Sequence, residues 1–211
     1  MTHPANPYLR EYEAINPNWA GSWHDWMLTD DGRDLDALTI SRNPMVWRYA
    51  WAIPSPEALE LVAKHAPIVE VGAGTGYWAH LLEQMGVDVI AYDSNPPSEE
   101  RWNGWHPDAT TWTTVHTADA GVAAAKHPDR SLFICWPPRE DPMAADALAA
   151  YEGDTVLYIG EWIGATCADI RFFELLDDEF EDVEGVLVPQ WLGMNDRLLV
   201  FRRRNLSGSV T

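Results

Sequence analysis

Three glycines follow a short apolar segment at a spacing that suits close binding of a ligand to the backbone. Gly72, Gly74 and Gly76 form a G-x-G-x-G pattern directly after residues 67–71. Glycines at the turn between a first strand and a helix let a ligand approach the main chain, because no side chain stands in the way. The fingerprint that holds a dinucleotide pyrophosphate is G-x-G-x-x-G, with its third glycine one position later. The spacing therefore predicts a cofactor that is not a dinucleotide.

Two acidic residues accompany these glycines. Glu70 precedes the loop, with only Val71 between it and Gly72, and Asp93 stands seventeen residues beyond Gly76 at the end of a second apolar segment. Together the strand, glycine loop, helix, second strand and acid resemble the S-adenosylmethionine-binding motif of class I (Rossmann-like) S-adenosylmethionine-dependent methyltransferases. The resemblance covers roughly residues 67–203 in layout. At the level of individual residues it covers the glycine loop, Asp93 and a later Pro-Pro turn.

The resemblance implies that the cofactor is S-adenosyl-L-methionine and that Asp93 accepts both ribose hydroxyls. It also implies a seven-stranded sheet with the last strand reversed. The residues expected to bind the cofactor lie on the glycine loop and at the ends of the second and fourth strands: Glu70, Gly72, Ala73, Gly74, Thr75, Gly76, Tyr77, Asp93, Ser94, Cys135 and Trp136. The alternative is a tight turn in an α/β protein without a cofactor, which would leave both acids unexplained.

The acceptor of the methyl group should lie near the residues that follow the fourth and fifth strands, because ligands bind beyond the carboxyl ends of parallel strands. Pro137-Pro138 resembles the motif of amino-group methyltransferases, in which Asp, Asn or Ser precedes Pro-Pro and an aromatic residue follows. Here Trp136 and Arg139 occupy those two flanking positions. Trp136 cannot supply a side-chain oxygen, so methylation of an exocyclic amine on a base is disfavoured. Backbone carbonyls at 135 or 136 could still accept from an amine.

Methyl transfer from a sulfonium needs mainly alignment, and a base is needed only when the nucleophile is protonated. Glu161 is the predicted base, or else a ligand for a substrate cation, and His116, His80 and Asp141 are weaker candidates. Trp136 is the second predicted catalytic residue, with its indole packed on the substrate or the sulfonium. A structural plug beneath the N-terminal segment is the alternative for Trp136. The predicted substrate-binding residues are Trp51, Pro137, Arg139, Glu161 and Trp162.

The elements that must position these residues alternate between strands and helices, which is typical of an α/β fold with helices on both sheet faces. Strands are predicted at 67–71, 87–92, 113–116, 131–135, 155–159, 185–188 and 197–201, and helices at 56–65, 77–85, 143–151 and 169–176. No helix separates the last two strands, so they should pair in antiparallel fashion. The prediction is a three-layer Rossmann-like sheet, mostly parallel, with residues 1–66 as a tryptophan-rich cap, 67–204 as the core and 205–211 as a flexible tail. The long segment 94–111 is interpreted as a functional loop.

Composition narrows the classes of partner. The formal charge of −19 comes from 33 acids against 14 bases, and such a surface repels phosphate backbones, so nucleic acid is disfavoured as a partner. The two cysteines, Cys135 and Cys167, lack metal-ligand spacing, so no metal is expected. No segment has the length and apolarity of a membrane span, which favours a soluble, cytoplasmic protein, and a homodimer is left open.

The predicted function is therefore methyl transfer from S-adenosyl-L-methionine to N or O of a small aromatic or cationic metabolite. Twelve tryptophans favour such ligands, since indole rings hold flat molecules and cations. Methylation of nucleic acid or of a protein side chain is one alternative, motivated by the Pro-Pro turn and by Arg202-Arg203-Arg204. A non-catalytic binding domain on the same fold is another.

Overall fold

The computed structural model describes residues 3–16, 35–162 and 166–204. Within these ranges the helices are α1 (Pro7–Ile15), α2 (Leu35–Arg48), α3 (Pro56–Lys64), α4 (Tyr77–Gln84), α5 (Ala120–Lys126), α6 (Met143–Ala150) and α7 (Ile170–Glu179). The strands are β1 (Ile68–Val71), β2 (Val89–Asp93), β3 (Val115–Thr117), β4 (Ser131–Cys135), β5 (Thr155–Gly160), β6 (Phe180–Leu187) and β7 (Arg197–Arg203). Three tryptophans of the predicted cap, Trp19, Trp23 and Trp26, lie outside the described residues, and so does the predicted tail at 205–211.

The strands form a seven-stranded sheet in the order β3-β2-β1-β4-β5-β7-β6. β7 pairs in antiparallel fashion with both β5 and β6, whereas β1 to β5 pair in parallel. This arrangement confirms the predicted α/β fold, a mostly parallel Rossmann-like sheet with the last strand reversed. The order of the strands reverses between β1 and β4, and such a switch point opens a crevice at the carboxyl ends of the two strands.

The central strands are buried because helices cover both faces of the sheet. All four residues of β1 are buried, and so are all six of β5. Successive side chains of a strand point to opposite faces, so Ile68 and Phe133 pack in one apolar cluster while Val69 and Ile134 pack in the other. These two clusters make a three-layer molecule with its binding edge where the parallel strands end.

The N-terminal segment packs into the first of these clusters. Tyr8 and Tyr12 of α1 are almost fully buried and lie in the same cluster as Val62 of α3 and Phe133 of β4. Neither α1 nor α2 is predicted from the sequence, because prolines and tryptophans obscure the helical period there. None of the helices in the described ranges combines the length and apolar character needed to cross a bilayer.

Candidate functional site

A cleft of about 780 Å³ opens at the switch point of the sheet. Its walls come from the residues that follow β1, β2, β3 and β4, and from the long loop between β2 and β3. The predicted site residues that line it are Trp51, Gly72, Gly74, Asp93, Ser94, Cys135, Trp136, Pro137, Arg139 and Asp141. The fold thus brings the glycine loop, the acid of β2 and the turn after β4 to one cavity.

The glycine loop adopts a conformation that side chains oppose. Gly72 has φ +67° and Gly74 has φ +54°, in the left-handed region that non-glycine residues rarely adopt. A Cβ on Gly72 would lie 2.7 Å from Cε of Met143, and a Cβ on Gly74 would lie 2.4 Å from Nε2 of His106. Both positions therefore favour glycine for backbone geometry, and Gly74 also does so for its close packing against the buried ring of His106.

Asp93 is fixed directly beside this loop. Its Oδ2 accepts the backbone N–H of Gly74 at 2.8 Å, and its Oδ1 accepts the N–H of Asn95 at 2.8 Å. Each carboxylate oxygen has a second lone pair, so Asp93 can still accept hydrogen bonds from a ligand in the cleft. The carboxylate is oriented before any ligand binds.

Asp119 is a further cleft acid that the sequence analysis missed. It occupies the N-cap position of α5, yet its side chain makes no capping hydrogen bond. The signal that could have found it is similar to that for Asp93, namely an acid at or just after the end of a parallel strand. Because β3 is only three residues long, its end is hard to locate from sequence.

Glu70 lies beneath the glycine loop and outside the cleft lining. It is 2% exposed, and its Oε2 is buried without a hydrogen-bond partner among the described residues. Burial raises the pKa of Glu70 to about 8, while the backbone N–H of Ala79 lowers it in part. The carboxyl group is therefore mainly protonated at neutral pH.

Two other residues at the predicted cofactor loop, Thr75 and Tyr77, form hydrogen bonds with the N-terminal segment. The hydroxyl of Thr75 donates to the carbonyl of Tyr49, and the hydroxyl of Tyr77 donates to Oδ1 of Asn6 at 2.9 Å. These bonds connect the loop to α1 and to the segment after α2. Ala73, Thr75, Gly76 and Tyr77 do not line the cleft.

Three tryptophan rings form an aromatic corner in the lining of the cleft. The centroids of Trp51 and Trp136 are 6.1 Å apart, and those of Trp51 and Trp105 are 5.9 Å apart with planes at 76°. The Arg42 guanidinium lies 5.3 Å from the centroid of the Trp51 ring. We call Trp51, Trp105 and Trp136 the tryptophan corner. Trp105, in the loop between β2 and β3, is 53% exposed and was not predicted as a site residue.

Trp136 is held in place by its backbone and by its indole. Its φ is +50°, its backbone N–H donates to the carbonyl of Ile159 at 2.7 Å, and its Nε1–H donates to Oδ2 of Asp196 at 2.9 Å. Asp196 is 3% exposed, and burial raises its pKa to about 7, although the bond from Trp136 lowers it in part. Sequence reasoning missed Asp196 because it lies sixty residues away in the loop before β7.

Glu161 and Trp162 lie outside the cleft. Oε1 of Glu161 accepts the N–H of Asn195 at 2.8 Å, and Oε2 accepts the hydroxyl of Thr166, which itself lines the cleft. Trp162 stacks on Phe201 with centroids 5.6 Å apart. Both residues line a separate depression beside β7. Their roles in catalysis and substrate binding stay predictions.

The weaker base candidates are divided between the cleft and the outer surface. Asp141 lines the cleft, where its Oδ1 accepts the N–H of Met143 at 2.9 Å. His80 pairs with Gln84 on α4, and His116 is exposed on β3, so neither faces the cleft. Arg139 lines the cleft and forms an exposed ion pair with Glu140 at 3.0 Å.

His106 is a buried cleft residue that the sequence analysis did not single out. It is 5% exposed, and its Nδ1 lies 3.0 Å from the carbonyl oxygen of Trp47. Burial lowers the pKa of His106, although the Trp47 carbonyl and the Asp93 charge raise it in part. The unusual length of the loop between β2 and β3 was the only sequence signal for it.

Metal binding has no support within the described ranges, where no group of three or more His, Cys, Asp or Glu side chains could hold an ion. Cys135 and Cys167 are both free thiols. Burial raises the pKa of the Cys167 thiol to about 11 and also raises that of Cys135. Both cysteines are therefore thiols and not thiolates at neutral pH.

No protein-family model and no curated protein matches the chain. Among solved structures, it is similar to a TehB-like SAM-dependent methyltransferase from Corynebacterium glutamicum, with 20% identity over 69% of this chain and 86% of that chain and a TM-score of 0.45. It is also similar to magnesium protoporphyrin IX methyltransferase from Synechocystis PCC 6803 with bound SAM. The identity is 13%, the match covers 97% of this chain and 100% of that chain, and the TM-score is 0.48. A SAM-dependent methyltransferase from Anabaena variabilis is 12% identical, with a match that covers 97% of this chain and 98% of that chain and a TM-score of 0.47.

Proposed function

We propose that this protein is an S-adenosyl-L-methionine-dependent methyltransferase that acts on N or O of a small aromatic or cationic metabolite. The observation that carries the proposal is the hydrogen bond of 2.8 Å between Asp93 and the backbone of Gly74. It joins the two parts of the sequence motif at the switch point of the sheet, where the fold opens a cleft. The cleft volume of about 780 Å³ is in the range of small-molecule and cofactor sites.

The residues of the cleft fit the chemistry of this cofactor. Asp93 can accept hydrogen bonds from the ribose hydroxyls. The carboxylate of Asp119 makes no capping hydrogen bond to α5, so it can accept one from the adenine amino group. Gly72 and Gly74 leave the backbone open to close contact. When bound, S-adenosyl-L-methionine supplies an electrophilic methyl group on a positively charged sulfur.

The charges that line the cleft favour a cation. Its lining includes four aspartates, Asp93, Asp119, Asp141 and Asp146, but only one arginine, Arg139, among the described residues. Asp146 is ion-paired with Arg171, which leaves three aspartates to attract a cation. Carboxylates around a partly enclosed cleft attract positive charge more strongly than they would in open water. This field suits both a sulfonium cofactor and a cationic acceptor molecule.

The tryptophan corner supports the class of acceptor. A flat aromatic molecule can stack on an exposed indole face, and an ammonium group is attracted to the same faces. Trp51 and Trp105 stand nearly perpendicular, so a ligand in the corner meets one ring by its face and the other at an angle. The bond from Trp136 to Asp196 keeps the third ring in place while substrates enter and leave. Proton removal, where the acceptor needs it, is assigned to Glu161, which is bonded to the cleft residue Thr166, or to the cleft carboxylate Asp141 or solvent.

Calorimetric titration with S-adenosylmethionine and S-adenosylhomocysteine tests the cofactor. Binding in the micromolar range is expected, and no heat of binding at millimolar ligand would refute the proposal. A labelled-methyl assay on fractionated cell extract tests the acceptor, with label expected in the small-molecule fraction. Label confined to RNA, DNA or protein would favour the alternative acceptors, and binding without turnover on any fraction would favour a non-catalytic domain.

A further inference from the structure

The loop between β2 and β3 folds back over the glycine loop and places His106 against Gly74. Nε2 of His106 lies 2.4 Å from the position that a Cβ on Gly74 would occupy. Oδ2 of Asp93 accepts the N–H of the same glycine. Two side chains with hydrogen-bond acceptors therefore flank Gly74 at the edge of the cleft.

The hydrogen bond to Trp47 determines which nitrogen of His106 carries the proton. A carbonyl oxygen only accepts, so Nδ1, at 3.0 Å from the Trp47 carbonyl, must be the N–H donor. In the neutral imidazole the other nitrogen, Nε2, is then an acceptor. Burial favours this neutral form by lowering the pKa of His106, and Asp93 is the charged group that faces the ring.

The position of the imidazole is fixed by a network that begins at Asp93. Asp93 accepts the N–H of Asn95, whose carbonyl accepts Nδ2–H of Asn103 at 2.7 Å. Oδ1 of Asn103 in turn accepts the backbone N–H of His106 at 3.2 Å. On its other side the ring is tied to Trp47, whose carbonyl at the end of α2 is left unpaired by the helix. The acceptor atom of His106 therefore has a set position relative to Asp93.

We propose that His106 is a cofactor-binding residue whose Nε2 accepts a hydrogen bond from one hydroxyl of a ribose whose other hydroxyl donates to Asp93. The inference rests on the proposed function, because it assumes a ribose at Asp93. No described residue donates to Nε2, whereas Nδ1 and the backbone N–H are both bonded within the protein. A vicinal diol offers two donors, and the flanking acceptors of Asp93 and His106 provide partners for both.

Two substitutions of His106 distinguish the role of its Nε2 acceptor from that of its hydrogen bond to the Trp47 carbonyl. His106→Asn keeps an amide N–H near the position of Nδ1 but has no atom at the position of Nε2. His106→Gln reaches the position of Nε2 with its amide oxygen but gives up the donor to the Trp47 carbonyl. His127→Asn is the matched control, because His127 is also partly buried and bonded, to the Tyr92 hydroxyl at 3.0 Å, but lies away from the cleft.

Calorimetry with S-adenosylhomocysteine and its 2′-deoxy and 3′-deoxy analogues tests the inference, with thermal unfolding of each variant alongside. We expect His106→Asn to weaken binding of S-adenosylhomocysteine about tenfold, as for the loss of one hydrogen bond. His106→Gln and His127→Asn should stay within about twofold to threefold of the wild type. For one of the two deoxy analogues, His106→Asn should cause no further loss of affinity, since that analogue already lacks the hydroxyl that donates to Nε2.

Several results would overturn the inference while leaving the proposed function intact. The first is wild-type affinity for S-adenosylhomocysteine in His106→Asn. The second is that His106→Asn weakens binding of both deoxy analogues equally. The third is that His106→Gln loses more affinity than His106→Asn and also has a lower melting temperature. The last result would mean that His106 only supports the loop through Trp47. If the wild-type protein itself fails to bind S-adenosylhomocysteine, the proposed function fails, and the inference fails with it.

Discussion

Trp136, directly after β4, donates its indole N–H to Asp196, directly before β7, at 2.9 Å. The bond joins the tryptophan corner to a buried acid in the loop before the reversed strand, so a segment distant in sequence holds a ring of the cleft in place. Oδ1 of Asp196 is buried and has no hydrogen-bond partner among the described residues, and Arg42 provides a nearby positive charge. The pair therefore couples the position of a cleft residue to an ionisable group in the core.

Asp196→Ala should destabilise the protein, because the indole N–H of Trp136 loses its acceptor inside the core. Leaving a buried donor unsatisfied costs about 1–3 kcal/mol. Asp196→Asn keeps an oxygen for the indole, so its loss should be below about 1 kcal/mol. Urea unfolding of both variants at pH 6 measures the difference. Equal stability of the two variants would mean that the bond to Trp136 contributes nothing.

Asp93→Ala should weaken binding of S-adenosylmethionine by about 1.5–3 kcal/mol, the range for hydrogen bonds to a charged group. Asp93→Asn should lose less, because one oxygen remains to hold the Gly74 N–H. Calorimetry measures both affinities, and Asp129→Ala serves as the control, since Asp129 is exposed and outside the cleft. Unchanged affinity in Asp93→Ala would place the ribose elsewhere.

The fold could be predicted from sequence because each strand of the parallel sheet is a short apolar run bounded by turn residues. β1, β4 and β5 lie within one residue of their predicted bounds. β6 begins earlier than predicted, at Phe180, because its exposed acidic residues hide the strand pattern. α5 was missed because seven residues rich in alanine carry almost no apolar contrast.

The site could be predicted only where a residue lies next to a recognisable turn. Gly72, Gly74 and Asp93 belong to such a local pattern, and all three line the cleft. Asp196 and His106 reach the site through contacts with distant segments, to Trp136 and Trp47 respectively. Contacts of this kind depend on tertiary packing, which a single sequence does not reveal.

Trp51→Ala should raise KM for the acceptor molecule while leaving the affinity for S-adenosylhomocysteine within about twofold. The loss expected from one aromatic or cation–π contact is about 0.5–2 kcal/mol. Trp102→Ala is the control, because Trp102 lies in the loop that carries Trp105 but is 73% exposed and outside the cleft. Equal KM values for the two variants would exclude Trp51 from substrate binding. Loss of cofactor affinity in Trp51→Ala would instead assign the ring to the cofactor.

Glu70→Gln should stabilise the protein more at pH 8 than at pH 5. The folded-state pKa of Glu70 is about 8, whereas that of an unfolded glutamate is about 4.3. A carboxyl group whose pKa is raised by folding binds more protons in the folded state, so its contribution to stability falls as pH rises between these two values. Glutamine cannot ionise and still offers an oxygen to the Ala79 N–H, so the variant avoids this loss. Urea unfolding at pH 5 and pH 8 measures the effect, with Glu57→Gln on the partly exposed first turn of α3 as the control. A gain that is equal at both pH values would mean that Glu70 is already ionised in the folded protein at pH 5.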